Sequence, residues 1–350
     1  MKTKVCNKKS LLLSLLLISV VSFSLSAQDA VKDYSESFQV SQGITLSSDT
    51  RYSDLEMITW DNNQVDIVAE VEVDASSKAK AEEKLAKIDV QMSKTGNTIQ
   101  LKTEFDEGWS KNAKVKIRIT VKAPAYLNLT LESAYGDVFI QELDGLVLLD
   151  LKYGNLKAGK LSRGNEKPFN QIDLAYSDGS IEEAGWINTE LAYSDLEVGT
   201  SSMIFASSKY SNLAGEKTGG IVTEGAYDKY NFDEVDNMVA ELKYSGIKFG
   251  KLNKKLDVEG KYTNVKLMQV DRDFKEINAS LSYGNIYMDV EDGASFKFEG
   301  ESRYGKIQLA MDGKLSKVKE NNSMRIWGTI GSAPKGSMKL ETRYGSINIE

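Results

Sequence analysis

Apolar and polar residues alternate on both sides of a recurring tyrosine along most of this chain. In the copy around Tyr193, leucine stands two residues before the tyrosine, and Leu196 and Val198 stand three and five residues after it. A period of two is typical of a strand with one buried face. The two residues after the tyrosine are commonly Gly or Ser and then Asp or Asn, which favour a tight bend. Each unit is therefore predicted to be strand, bend and strand.

The repeat has a nearly constant period, because consecutive tyrosines from Tyr135 to Tyr304 are 17 to 23 residues apart. A period near 20 indicates stacked coils, since one such unit cannot bury its apolar face alone. The sequence therefore predicts an all-β fold, a single-stranded β-solenoid (β-helix) of about ten to twelve rungs. An antiparallel hairpin array is the alternative, and pairs such as Asp144-Gly145 and Asp292-Gly293 leave it open. The repeat-defining residues are Tyr135, Tyr153, Tyr176, Tyr193, Tyr210, Tyr227, Tyr244, Tyr262, Tyr283, Tyr304 and Tyr344, with Tyr52 as an outlying copy.

The tyrosine shares its parity with the leucine two residues before it, as Tyr193 does with Leu191. We therefore expect its ring to face inward near the bend and to join a ladder of aromatic rings. The competing interpretation, an outward platform on which sugars stack, requires the opposite parity.

Charged residues occupy the outward parity in two files. We interpret these files as a solvated, self-neutralising face, and the carboxylates argue against the sharper alternative, a stripe that binds polyanions. Three residues before the tyrosine stand Asp49, Glu132, Asp150, Asp173, Glu190, Glu224, Glu241, Glu259, Glu301 and Glu341, and one residue before it stand Arg51, Lys152, Lys209, Lys243, Lys261, Arg303 and Arg343.

The chain divides into three predicted segments. Residues 1–27 combine four lysines with a long apolar run, which is typical of a signal peptide, so we expect export to the periplasm, the cell envelope or the extracellular space. Residues 28–123 are predicted to be a small β-rich capping unit with one short helix that begins at Ser77 and covers the open end of the solenoid. Residues 124–350 form the predicted β-helix repeat domain.

Two segments interrupt the repeat and are candidate ligand loops, because loops on rigid scaffolds often carry function. The first is the polar insertion at 159–170, which contains Arg163 and Lys167. The second is 327–336, in which Trp327 is expected to replace a tyrosine in a degenerate rung and Lys335 lies in a Gly- and Pro-rich loop.

The export signal, the β-rich unit ending in Val121-Lys122-Ala123-Pro124, and the recurring Tyr-Gly-Asp/Asn-Val/Ile blocks together resemble an adhesin-like β-strand-repeat family of bacterial envelope proteins. The resemblance covers nearly the whole mature chain. It implies a β-helix outside the cytoplasm, and it supplies no catalytic residues to transfer to this sequence.

Composition excludes several kinds of chemistry. The chain has no histidine, and its one cysteine, Cys6, precedes the apolar run, so we predict no catalytic residues, no metal site and no cofactor. The net charge of −7 disfavours nucleic acid as a partner. A second long apolar run is absent, so we predict no transmembrane helix. We therefore predict a non-catalytic exported protein, adhesin-like or a scaffold, that binds an extended glycan or a surface protein. A polysaccharide lyase or hydrolase on a β-helix is the alternative, and the oligomeric state is left open.

Overall fold

The computed structural model describes residues 29–107, 109 and 114–350, so the predicted signal peptide lies outside the described residues. The chain is almost entirely β-strand, with one helix, α1 (Lys78–Leu85), between the fourth and fifth strands. In chain order the strands are β1 (Asp29–Gln39), β2 (Thr45–Arg51), β3 (Ser53–Thr59), β4 (Gln64–Asp74), β5 (Ile88–Thr95), β6 (Thr98–Phe105), β7 (Lys114–Ala123), β8 (Asn128–Ala134), β9 (Val138–Leu143), β10 (Val147–Lys152), β11 (Asn155–Leu161), β12 (Asn170–Ala175), β13 (Asp178–Ala192), β14 (Asp195–Lys209), β15 (Asn212–Thr218), β16 (Ile221–Ala226), β17 (Lys229–Lys243), β18 (Gly246–Lys261), β19 (Asn264–Val270), β20 (Glu276–Ser282), β21 (Ile286–Val290), β22 (Phe296–Arg303), β23 (Ile307–Leu309), β24 (Gly313–Glu320), β25 (Ser323–Ile330), β26 (Gly336–Arg343) and β27 (Ile347–Ile349). Within the described part of the chain, no helix has the length and apolar character needed to cross a membrane.

Consecutive coils stack in parallel and in register, which excludes the antiparallel hairpin array for the repeat. The strand before each tyrosine pairs with the equivalent strand of the next coil, as in Leu151 with Leu174, and we call this set of strands the front layer. The strand after each tyrosine does the same, as in Val198 with Gly215, and we call this set the back layer. The long strands β13, β14, β17 and β18 run from the back layer of one coil into the front layer of the next, so all the strands join in one folded sheet. The predicted β-solenoid character is therefore confirmed, whereas the number of rungs stays a prediction.

One apolar core lies between the two layers. Where a leucine stands two residues before a tyrosine, as at Leu151 and Leu191, it is almost fully buried, and so are apolar residues three and five positions after the tyrosine, such as Leu196 and Val198. Side chains from both layers meet there, since a Cβ added at Gly179 would lie 2.8 Å from Leu174 of the front layer. The alternation in the sequence therefore identifies the buried positions of both strands.

The tyrosines do not face this core, so the predicted inward orientation is wrong. The twelve tyrosines of the stack all have positive φ, between 52° and 65°, within the described residues, and each ring from Tyr135 onward is 40–55 % exposed. A residue in the left-handed region turns the chain and breaks the strict alternation of a strand. The residue after the tyrosine faces the core instead, as at Ser177, Ser194 and Ser211, which are buried.

The predicted ladder itself is present, on the outside of the corner. Neighbouring rings are stacked with centroids 4.6–5.2 Å apart and nearly parallel planes. This spacing matches the distance between hydrogen-bonded strands. Left-handed backbone costs about 1–2 kcal/mol for a residue with a Cβ, and ring stacking on both sides offsets that cost.

A second ladder runs inside the corner and fixes the backbone of each bend. The Ser194 hydroxyl accepts the Ser177 amide at 3.1 Å, and the Ser211 hydroxyl accepts the Ser194 amide at 3.2 Å. Each hydroxyl also donates to the carbonyl two residues before it, as Ser194 does to Ala192 at 3.0 Å. Other coils carry glycine here, and a Cβ at Gly154 would lie 2.0 Å from the Gly136 carbonyl oxygen.

The last coil of the sequence is not the last coil of the stack. Strand β26 pairs in parallel with both β20 and β22, and β27 pairs with both β21 and β23. Tyr344 accordingly stacks between Tyr283 and Tyr304, 4.8 Å from each ring. The C-terminal coil therefore lies between two coils that precede it in the chain.

Beyond β22 the front layer ends in the antiparallel strands β25 and β24, so the degenerate rung predicted at Trp327 is wrong. Trp327 lies in β25 opposite Glu299 of β22, and no ladder position falls there. The following loop, 331–335, is present as predicted. Every residue of β24 is exposed, and Lys314, Lys317 and Lys319 along this edge strand discourage pairing with other chains.

At the other end, β2 and β3 stack directly on β8 and β9, and Tyr52 stacks on Tyr135 at 5.1 Å. Strands β4 and β7, which the alternation predicts, pair antiparallel, and β7 continues the back layer beside β3. Helix α1 begins after Ser77, whose hydroxyl accepts the Lys80 amide at 3.4 Å, as predicted. The division at residue 123 stays a prediction, because strands from both sides of it are hydrogen-bonded in one sheet.

Candidate binding groove on the front layer

A groove runs along the outer surface of the front layer, parallel to the direction in which the coils stack. It consists of three adjoining depressions of about 420, 410 and 640 Å³. Asp150 and Lys152 line both the first and the second depression, and Glu190 and Ser207 line both the second and the third. The depressions are therefore continuous over many coils, which suits an elongated ligand.

The third depression is the largest, and we call it the acidic groove. Its lining includes five carboxylates of the front layer together with two valines and a phenylalanine. The residues that define it are Glu190, Glu224, Glu241, Asp257, Glu259, Phe205, Val222 and Val239.

The register of the repeat places these residues in two parallel rows. Glu224 pairs with Glu241 and Glu241 with Glu259, so the carboxylates stack from coil to coil. The second row lies two residues before the carboxylate row on each strand. In it Phe205 pairs with Val222, and Val222 pairs with Val239. Both rows have outward parity, because Ala240 and Leu242, which alternate with Val239 and Glu241 along the strand, face the core. Val222 and Val239 are 39 % and 52 % exposed, which leaves an aliphatic row open to solvent.

The carboxylates of the acidic groove differ from others in the same file. Asp150, Glu301 and Glu341 form ion pairs of 2.8–3.0 Å with a basic residue of their own strand. None of the five carboxylates in the acidic groove forms an ion pair with any residue that the structure describes. The predicted self-neutralisation therefore fails in this part of the front layer.

Two of the neighbouring lysines, Lys209 and Lys261, hold their ammonium groups beside the tyrosine ladder. The Lys209 ammonium lies 5.7 Å from the centre of the Tyr210 ring, and that of Lys261 lies 5.9 Å from the Tyr262 ring. Both faces of these two rings are covered by neighbouring tyrosines, and neither lysine forms an ion pair with a carboxylate of the acidic groove. The acidic groove consequently keeps a local negative charge.

Two further aromatic rings contact Phe205 of the acidic groove. Phe169 stacks on Phe205 at 5.5 Å, and Trp186 contacts both rings at 5.2 and 5.7 Å. Phe169 belongs to the predicted loop at 159–170, so this loop borders the groove. Lys167 lies over the Phe169 ring at 5.8 Å.

The other predicted loop residues are held by contacts within the chain. Arg163 donates to the Pro168 carbonyl oxygen at 2.9 Å, Arg325 covers the Trp327 ring at 5.4 Å, and Lys335 pairs with Asp273 at 3.2 Å. Trp327 and Lys335 adjoin β22 and β26 near the C-terminal end of the stack, far along the chain from Arg163 and Lys167. The structure therefore does not unite the four residues in one site.

The exposed tyrosine ladder does not offer ring faces to a ligand along its length. Each inner ring is covered on both faces by its neighbours, so a sugar could reach only ring edges and hydroxyls there. At the Tyr52 end, Phe105 and Trp109 contact the first ring at 5.7 and 5.9 Å. Apart from the terminal ring of Tyr304, for which the described residues give a stacked ring on one face only, the ladder lacks the open faces that a platform for sugar stacking needs, even though the rings point outward.

Two titratable groups whose pKa values are raised mainly by burial, Asp228 and Tyr230, lie inside the core. Asp228 replaces serine in the inner ladder and accepts the Ser211 amide at 2.9 Å, while Ser208 donates to its other oxygen at 3.0 Å. Burial raises the pKa of Asp228, and burial raises the pKa of its neighbour Tyr230 to about 12. Both side chains are 1–2 % exposed, so no polymeric substrate reaches them.

The sequence pattern predicts the row of acidic residues on the front layer, but the groove beside it was not predicted. The missing signal was the outward position five residues before the tyrosine, where Phe205, Val222 and Val239 follow one another in three successive coils. An apolar run at an outward parity beside a charged file marks an exposed apolar surface.

Comparison with known families gives one match over most of the chain. The family described as Toastrack DUF4097 matches residues 49–350. The family resemblance inferred from the sequence is confirmed by this match.

Solved structures give weaker likenesses. A putative adhesin from Parabacteroides distasonis is 11 % identical, with 91 % of this chain and 97 % of that chain covered and a TM-score of 0.32. A putative adhesin from Bacteroides fragilis is also 11 % identical, with the same coverage and a TM-score of 0.29. A putative cell adhesion protein from Clostridium sporogenes is 9 % identical, covers 91 % and 99 %, and has a TM-score of 0.19. A comparison with curated proteins gives no match.

Proposed function

Since the chain belongs to the Toastrack DUF4097 family, we propose that it is a non-catalytic, exported protein of the cell envelope or cell surface. In this proposal the chain is adhesin-like or a scaffold, and it binds an elongated partner along the front layer. The observation that carries the proposal is the continuity of the groove across the depressions that share Asp150, Lys152, Glu190 and Ser207.

The rigidity of the stack supports binding of an extended partner. Parallel hydrogen bonds, the inner ladder and the tyrosine ladder all repeat from coil to coil, so the groove is formed before a partner arrives. A preformed surface avoids the ordering cost that a flexible one incurs on binding. Repeated contacts along one axis also add up, which favours a polymer over a small molecule.

The absence of catalysis is part of the proposal. The buried groups with perturbed pKa values, Asp228 and Tyr230, lie in the core, and a catalytic group must reach the substrate. The carboxylates of the acidic groove form no ion pair with any described residue, so none of them has a basic neighbour that would orient it for catalysis. A glycan lyase or hydrolase receives no specific support from the groove.

The test combines retention with cleavage. Purified protein is immobilised and exposed to acidic and neutral polysaccharides and to envelope protein extracts, and the eluates are assayed for new reducing or unsaturated ends. Val239→Arg should abolish retention, because it fills the groove from an exposed position. Asn231→Arg, at an exposed position of the back layer, is the matched control and should retain the partner.

Retention of a partner that survives Val239→Arg would refute the front-layer site. Release of new chain ends that disappears on mutating a single Asp, Arg or Tyr would replace the proposal with an enzyme. Export is tested separately by intact mass of protein from the envelope fraction, which should begin near Gln28. An uncleaved N-terminus would contradict the predicted export.

A further inference from the structure

The acidic groove presents two parallel rows of different chemistry. The carboxylate row and the apolar row are two residues apart on each strand, which is about 7 Å. From Glu190 to Glu259 the groove crosses four steps between coils, which is about 19 Å. Over this length Ser207 interrupts the carboxylate row, and the apolar row consists of Phe205, Val222 and Val239, flanked by Asn188 and Asp257. A partner that uses the whole groove therefore needs a positively charged row along its length and a shorter apolar row beside the centre of that row.

The charge of the first row requires a positive partner. Glu224, Glu241 and Glu259 stack on adjacent strands, where like charges repel one another. A cationic partner reduces this repulsion and gains ion pairs that the chain itself does not supply. A polyanion would be repelled, and a neutral glycan would leave the carboxylates unpaired.

A single metal ion does not satisfy the row. Among residues 29–107, 109 and 114–350, no three Asp, Glu, His or Cys side chains come close enough together to hold one. The adjoining apolar row, Phe205, Val222 and Val239, would also remain in water. A polyamine has the charge but likewise leaves the apolar row uncovered.

The geometry distinguishes a helix from an extended peptide. Side chains of a strand point alternately to opposite sides, so a strand lying in the groove directs one row toward it. On a helix, residues three and four apart form neighbouring rows on one side, so a basic row and an aliphatic row can lie next to each other. A length of about 19 Å corresponds to about 13 helical residues.

We infer that the acidic groove binds a basic amphipathic helix of a partner protein. A row of Lys or Arg faces Glu190, Glu224, Glu241 and Glu259, and an adjacent aliphatic row covers Phe205, Val222 and Val239. This inference rests on the proposed function and specifies the partner's chemistry. It is the helix-in-groove mode of recognition, with charge complementarity setting the orientation.

The test uses a synthetic helical peptide of about 18 residues with a lysine row beside a leucine row, labelled for fluorescence anisotropy. Glu224→Gln combined with Glu241→Gln should weaken its binding by about tenfold. Val222→Thr combined with Val239→Thr keeps the side-chain shape and should weaken binding by about threefold or more. The matched control is Glu182→Gln with Glu197→Gln, which removes the same charge from two exposed residues of the back layer.

Binding that is unchanged in the control and weakened in both groove variants supports the inference. Equal weakening by the control would show attraction to net charge alone and would overturn it. Oligolysine of the same length binding as tightly as the amphipathic peptide would also overturn it, because the apolar row would then contribute nothing.

The peptide experiment and the polysaccharide panel fail independently. If the peptide does not bind while another partner is retained in a Val239-dependent way, the basic-helix assignment is wrong and the proposed function stands. If neither binds through the front layer, both are wrong.

Discussion

The tyrosine ladder should stabilise the fold through ring stacking and not through its hydroxyl groups, and Tyr193 is the residue at which to test this. Its ring stacks on Tyr176 at 5.0 Å and on Tyr210 at 4.9 Å. Its backbone has a φ of 52°, and its side chain is 50 % exposed. Its hydroxyl forms no hydrogen bond with the part of the chain that the structure describes.

Tyr193→Ala removes the stacking but keeps the left-handed backbone. Two stacked contacts contribute about 1–3 kcal/mol together. The covered half of the ring, on the order of 100 Å², adds about 2.5 kcal/mol as an upper value. We therefore expect a loss of about 3 kcal/mol or more in the free energy of unfolding.

Two further substitutions separate the effects of the hydroxyl group and of the left-handed backbone from the effect of ring stacking. Tyr193→Phe keeps the ring and should change the free energy of unfolding by less than about 0.5 kcal/mol, because the hydroxyl has no partner to lose. Tyr193→Gly loses the ring but relieves the left-handed strain, so it should be about 1 kcal/mol less damaging than alanine.

The assay is equilibrium urea unfolding, monitored by far-ultraviolet circular dichroism. The dependence of the free energy of unfolding on urea concentration is compared among the variants, because equal slopes show that only stability has changed. The expected order of stability is wild type and phenylalanine, then glycine, then alanine. Phenylalanine as damaging as alanine would show that the hydroxyl matters. Alanine as stable as wild type would refute the stacking argument.

Three other predictions concern the inner ladder and the stack. Gly154→Ala should destabilise by about 1–3 kcal/mol or more, because its Cβ would lie 2.0 Å from a carbonyl oxygen of the neighbouring coil, whereas Gly164→Ala meets nothing within 4 Å and should be neutral in the same urea assay. Burial raises the pKa of Asp228 above that of the unfolded chain, so its stabilising contribution is present at low pH and is lost as pH rises through the raised value. Wild type should therefore lose stability relative to Asp228→Asn as the pH rises above the ordinary pKa of an aspartate, about 4, and parallel pH profiles would contradict this. Deletion of residues 191–207 removes one coil and joins positions that are already in register, as Leu191 with Ser208, so a cooperative thermal transition should persist.

Local patterns in the sequence predicted the buried positions well. Leu151 and Leu174 face the core and pair with each other, as their alternation indicates. The strands β4 and β7 and the helix start at Ser77 were predictable for the same reason, because one buried face imposes a short period. The stacked tyrosines were predictable from their spacing.

Features that depend on backbone conformation or long-range pairing were not predictable. Alternation alone cannot reveal that Tyr193 adopts a left-handed conformation, which reverses its direction. The coils of Tyr304 and Tyr344 have nearly the same sequence, Arg-Tyr-Gly followed by Lys-Ile or Ser-Ile, so local pattern cannot decide their order in the stack. The charge of the groove depends on which outward carboxylates form ion pairs within the chain. Those ion pairs depend on which residues the register of the coils brings together, and the local sequence does not specify this.

Carboxylate footprinting tests the central claim, that a partner lies along the front layer, without altering the chain. Protein alone and protein with its retained partner are treated with a carbodiimide and an amine, and labelling is read at each carboxylate by mass spectrometry. We expect the partner to protect Glu190, Glu224 and Glu241 and to leave Glu182 and Glu197 of the back layer unchanged. Protection of the back layer, or equal labelling of the groove with and without the partner, would contradict the account.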